Sequence, residues 1–199
     1  MQRFSVIIED PPWVFKDKLS MASGNRGAAG RYPLLEDNII TQLPIEELAE
    51  PNALLGIWCP SALFMQGMLM MANWGFEHKQ IWTWVKTKKH PTGEFDASAL
   101  AFGMGRLTRN CTEHLLVGTR GNMLQYLQNK SVRNCFPHPV LEHSKKPEII
   151  QDALDSMFPD AARIELFARR QRPGWTCVGN EAPDTYGEDI FDSLARLLV

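Results

Sequence analysis

The 199-residue sequence contains only four cysteines, Cys59, Cys111, Cys135 and Cys177, and no Cys-x-x-Cys pair. That spacing speaks against a zinc site and a disulfide framework, and no metal is expected; buried reduced thiols and a cytoplasmic setting are. No apolar run approaches the length that crosses a membrane. With a strand expected to open at residue 4, no secretory leader is expected. An excess of positive charge is also missing: 21 Lys and Arg face 23 Asp and Glu, for a net charge of −2. This excludes a protein basic all over, but a local basic patch is enough to grip nucleic acid. No Gly-x-Gly-x-x-Gly follows the first strand, and Gly24, Gly27 and Gly30 lack the Gly-Lys-Ser/Thr of a phosphate loop,. Internal repeats and low-complexity linkers are absent as well.

What is present begins with Phe4 to Ile8, a short β-branched run of the kind that burial on both faces selects,. Glu9-Asp10-Pro11-Pro12-Trp13 follows. Two prolines stop the strand because neither has an N–H for the ladder, and Pro11 pushes Asp10 toward extended backbone. The segment offers acceptors, the Asp10 carboxylate and the Asp10 and Pro11 carbonyls, and few donors. A flat ring bearing two N–H donors, such as an adenine amine, would satisfy it, with Trp13 as an apolar wall. Taken singly, these residues also fit a strand end, a Pro-Pro turn and a core tryptophan.

With 44% apolar and 22% charged residues, the rest reads as alternating strands and helices of a mostly parallel α/β domain. Strands are expected over 53–59, 77–86, 112–119 and 163–167, with a short one reaching 179. Helices are expected over 41–50, from the cap Ser61 to Asn73, over 147–158 and over 186–199. Leu63, Met65, Met68, Leu69 and Met70 are expected in the core. Trp82 and Trp84 alternate onto one strand face and suit either packing or base stacking. Lys86, Lys88, Lys89, Arg106, Arg109 and Asn110, with Arg26 and Arg31 on an earlier loop, flank the strand ends where open α/β sheets hold their ligands.

Asp10-Pro11-Pro12-Trp13 resembles the DPPW motif of the MT-A70 family, adenine N6-methyltransferases that use S-adenosylmethionine. Further segments are similar to that family in its order: Gly103 to Asn110 with Thr112-Glu113-His114, Ser144-Lys145-Lys146-Pro147, Glu165-Leu166-Phe167-Ala168-Arg169, and Pro173-Gly174-Trp175 through Gly179-Asn180-Glu181. The resemblance implies a Rossmann-like methyltransferase fold, a mostly parallel central sheet flanked by helices with its motifs in permuted order, as one catalytic domain over 1–199. It implies catalysis at Asp10, Pro11, Pro12 and Trp13. Ile8, Lys146, Arg169, Asn180 and Glu181 would bind S-adenosyl-L-methionine, with Lys146 on its carboxylate. Arg26, Arg31, Lys86, Lys88, Lys89, Arg106, Arg109, Asn110 and Glu113 would bind nucleic acid, DNA before RNA. A homodimer or a partner subunit stays open. The competing reading is a catalytically silent member that grips nucleic acid or serves as a scaffold, although a scaffold has no need of the motif carboxylate.

Overall fold

The computed structural model of the chain describes residues 2–14, 37–88, 97–103, 107–142 and 145–199. Arg26, Arg31, Lys89 and Arg106 lie outside the described residues. Seven strands, β1 (Phe4–Glu9), β2 (Ala49–Cys59), β3 (Glu77–Thr87), β4 (Thr112–Arg120), β5 (Cys135–Pro139), β6 (Arg163–Leu166) and β7 (Thr176–Val178), form one sheet in the order β5-β3-β4-β2-β1-β6-β7. Only β4 runs against the others, pairing antiparallel with β2 and β3. The remaining pairs are parallel.

Helices cover both faces, as the continuous apolar strands require. On one face Ile7, Leu55, Ile57 and Leu116 pack with α1 (Asp37–Ile40), α2 (Ile45–Leu48), α3 (Phe64–Asn73) and α5 (Ile190–Leu198) through Ile40, Ile45, Met71 and Leu194. On the other, Val6, Ile8, Trp58 and Leu115 pack with α4 (Ile149–Met157) through Ile150 and Leu154. The Asp189 side chain caps α5 by accepting from the Phe191 N–H,. This is the Rossmann-like architecture expected.

The differences from expectation are local. The helix expected over 41–50 is instead α2 followed by the start of β2. Met65 and Leu69 are 68% and 61% exposed, whereas Met70 and Met71 fill the core. Trp82 and Trp84 are buried and unavailable for base stacking. The Trp82 ring lies 5.4 Å from Phe136, and the Trp84 indole N–H donates to the His138 carbonyl at 2.9 Å. Both contacts come from β5, a strand whose Pro137 and Pro139 hid it in the sequence. An edge strand tolerates proline because its outer N–H positions need no partner.

The fold positions a site at one edge of the sheet. The carboxyl ends of the six co-directional strands and the start of β4 meet there. Within that edge, β1 stands between β2, which follows it in the chain, and β6, which begins 154 positions after β1 ends; Val6 pairs with Leu54 on one side and with Arg163 on the other. Such a reversal of winding opens a crevice at strand ends. Asp10 is the first residue past β1.

Candidate active site

Four charged side chains alternate in sign across this crevice. Lys146, two residues ahead of the turn into α4, donates to both Asp10 oxygens at 2.8 and 2.7 Å. Its Nζ also lies 3.5 Å from Glu113 of β4. The other Glu113 oxygen accepts from Lys86 of β3 at 2.5 Å. Elements far apart in sequence thus converge because their strand ends are neighbours. Two indoles line the cations: Lys146 sits 5.4 Å from the Trp58 ring and Lys86 5.0 Å from the Trp84 ring,.

The electrostatics follow from that sharing. Burial raises the Glu113 carboxyl, but Lys146 and Lys86 outweigh it and hold the group below its usual range. Burial would lower the Lys146 ammonium, yet the Asp10 and Glu113 charges keep it raised,. Burial also lowers the neighbouring His114, whose ring nitrogens contact the Thr83 and Thr112 hydroxyls, each at 3.2 Å. Beneath the crevice, Glu9 is fully buried, and its carboxyl oxygens have no hydrogen-bond partner among the described residues. Burial, reinforced by the adjacent Asp10 charge, pushes its pKa up to about 8. Glu9 is a neutral acid at pH 7.

The catalytic motif is held from behind. The Trp13 indole N–H donates to the Trp58 carbonyl at 2.7 Å, and the ring is only 5% exposed. The Trp13 backbone N–H closes a tight turn onto the Pro11 carbonyl at 2.9 Å. Trp13 therefore anchors the motif more than it walls the pocket, and Pro11 keeps one lone pair for another donor. Ile8 is buried in the core, so only its backbone borders the edge.

The ends of β6 and β7 form the other half of the crevice. Phe167 turns the chain there with φ of 58°, a conformation uncommon for any residue but glycine,. A Cβ on Gly179 would fall 2.6 Å from the Ala168 carbonyl, so only glycine lets the two strand ends close up. Exposed Asn180 and Glu181 follow β7, and Arg169 lies 3.6 Å from Glu181. An amide, a carboxylate and a guanidinium on such an edge fit the hydroxyls and amino-acid end of S-adenosylmethionine. Lys146 stands on the Asp10 side, its donors engaged by two carboxylates.

The substrate-side residues divide. Glu113 and Lys86 join the central cluster. Lys88, Arg109 and Asn110 are exposed on the β3–β4 connection. Sequence reasoning missed Trp58 and Glu9. A charged residue closing the apolar run Val6 to Ile8 was the available sign for Glu9; Trp58 had none beyond being aromatic. Arg170 and Arg172 face α4: Arg170 pairs with Glu148 and Glu165, and Arg172 bonds Glu148, Asp152 and Asp155 at 2.6 to 2.7 Å.

The comparisons with known proteins agree with this geometry. The chain is 29% identical to the Type II methyltransferase M.MunI of Mycoplasma sp, over 92% of this chain and 79% of that protein. It is 33% identical to the human N(6)-adenine-specific methyltransferase METTL4, over 94% of this chain and 39% of that protein. Human METTL3, an N(6)-adenosine-methyltransferase catalytic subunit, is 26% identical over 90% of this chain and 28% of its own length. The chain thus spans well under half of the two human relatives. The MT-A70 family model matches residues 4–181, from the first strand to the polar residues beyond β7. That span holds the whole crevice, and the chain belongs to the MT-A70 family of adenine N6-methyltransferases, whose methyl donor is S-adenosylmethionine.

Proposed function

We propose that this chain, acting as a single catalytic domain, methylates N6 of adenine in DNA, with Asp10 as the residue that orients the amine. The observation that carries this is the Asp10 carboxylate at the end of β1, fixed by Lys146 on both oxygens and free to accept further bonds, since a carboxylate offers about four lone-pair sites. S-adenosylmethionine supplies an electrophilic methyl group. Asp10 and the Pro11 carbonyl accept the two N–H bonds of the adenine amine. That arrangement draws the nitrogen lone pair out of the ring and aims it at the methyl carbon. With the cofactor bound, that nitrogen would take the methyl group as the C–S bond breaks and S-adenosylhomocysteine leaves, and the surplus N6 proton would pass to water. Catalysis is orientation plus electrostatics.

Asn180, Glu181 and Arg169 would hold the cofactor's sugar and amino-acid end. Lys146 holds Asp10 in position and Glu113 holds Lys146. DNA is favoured over RNA because the likeness to M.MunI runs over 79% of that protein, against 28% for METTL3. A base inside a duplex cannot reach the crevice, so the target adenine is flipped out or presented single-stranded. Transfer of label from methyl-tritiated S-adenosylmethionine to DNA and RNA oligonucleotides, single- and double-stranded, tests the reading. Labelled N6-methyladenine in DNA is the expected product. Label in RNA alone overturns the substrate, and no label in any oligonucleotide favours the silent scaffold.

A further inference from the structure

The connection from β3 to β4 carries an aromatic side chain that neither the catalytic cluster nor the cores use. Phe102 is 78% exposed, and nearby Leu107 is wholly exposed. Large apolar groups placed this far into water on one short segment mark an interaction surface. The backbone beneath Phe102 is ordered by pairing. Lys88 donates to the Ala99 carbonyl at 2.9 Å, Ala101 to Lys86 at 2.8 Å, and Gly103 to Asn110 at 3.1 Å. A Cβ on Gly103 would lie 2.3 Å from the Asn110 carbonyl, so glycine allows the two arms to meet. The closure brings Arg109 over one face of the Phe102 ring, 4.8 Å from its centroid.

Position gives the ring its meaning. Phe102 follows Ala101, whose N–H is bonded to Lys86. The Lys86 ammonium in turn pairs with Glu113, next to Lys146 and Asp10. The backbone that carries the ring is therefore tied to the strand end that supplies Lys86 to the crevice. A guanidinium sits over a ring that is otherwise largely exposed, and exposed Lys88 adds positive charge on the same connection. A flat apolar face flanked by cations complements a nucleobase attached to its phosphates.

We propose that Phe102, backed by Arg109, stacks on the base beside the target adenine and fills the gap left in the duplex when that adenine flips, while Arg109 meets the adjoining phosphate. This rests on the nucleic-acid methyltransferase reading above. Apolar side chains inserted at a base step stabilise an opened duplex in this way. A single strand has no stack to repair, so the contribution is largest on duplex substrate.

The test compares Phe102→Ala, Phe102→Trp and the parent on one target sequence, as duplex and as single strand, with adenine at the target position for the rates and a parallel oligonucleotide carrying 2-aminopurine there to report flipping. Base–aromatic stacking predicts that Phe102→Ala lowers the duplex rate by roughly five- to a hundredfold more than the single-strand rate. Target-site fluorescence should fall in parallel, and Phe102→Trp should restore both. Equal loss on the two substrates, or unchanged fluorescence, overturns the proposal. A change in molecular mass by light scattering, with the duplex and single-strand rates falling together, would make Phe102 part of a protein interface instead. The parent's own activity reports the underlying methyltransferase reading separately, because the wedge is read only as a ratio of variant to parent.

Discussion

Lys146 donates to both carboxylate oxygens of Asp10, a residue 136 positions earlier in the chain. The ammonium is fully occupied by that carboxylate and by Glu113, so its first task is to fix the catalytic acceptor. Lys146→Ala should therefore slow methyl transfer by about ten- to a hundredfold, the worth of a charge-assisted contact of roughly 1.5–3 kcal/mol. Cofactor affinity should change less. Glu113 also loses a cation that holds its carboxyl down, so the acid limb of the pH–rate profile should move upward. A defect confined to cofactor affinity, with the limiting rate intact, would place Lys146 on the cofactor instead.

Glu9 gives a pH dependence of opposite sign to the usual carboxylate. Its pKa rises from 4.5 to about 8 through burial first and the Asp10 charge second. Between those values the native chain keeps a proton that the unfolded chain has released. Stability therefore falls with rising pH across that window, by up to about 1.4 kcal/mol per unit. Glu9→Gln preserves the shape and removes the titration. Urea unfolding should show the variant more stable than the parent at pH 8 and nearly equal to it near pH 4. The same pH slope in both proteins would show that Glu9 ionises normally.

Arg172 is a stability residue despite lying close in sequence to the cofactor side of the crevice. Its guanidinium gathers Glu148, Asp152 and Asp155, tying the segment after β6 to α4. Arg172→Leu leaves those carboxylates facing one another. Removing one partner of a fully buried network costs about 3–5 kcal/mol; the partial exposure of these groups reduces that to roughly 1–3 kcal/mol. Calorimetric melting should show the loss, while cofactor affinity stays within about threefold. A large fall in affinity with normal melting would move Arg172 into the cofactor pocket.

How much of this was legible in the sequence depends on how local each signal is. β1 and β2 announce themselves as apolar runs and β3 by alternation, and the Asp10-Pro11-Pro12-Trp13 stretch carries its acceptor chemistry in its own residues. β5 does not, because Pro137 and Pro139 read as a break until the neighbouring β3 makes them an edge. The pairing of Lys146 with Asp10 was also out of reach: it depends on which strand ends are adjacent, and no spacing in the chain encodes that. Trp82 and Trp84 show the same limit, since alternation gives a face but not what covers it.

The central claim is that Asp10 orients the adenine amine and does not hold the cofactor. The most direct measurement is single-turnover transfer of tritiated methyl to duplex DNA by Asp10→Ala, with cofactor affinity of the same preparation determined by calorimetry. The account predicts that transfer is abolished while the cofactor dissociation constant stays within about tenfold, or ~1.4 kcal/mol. Transfer persisting above a few per cent of the parent rate would contradict it.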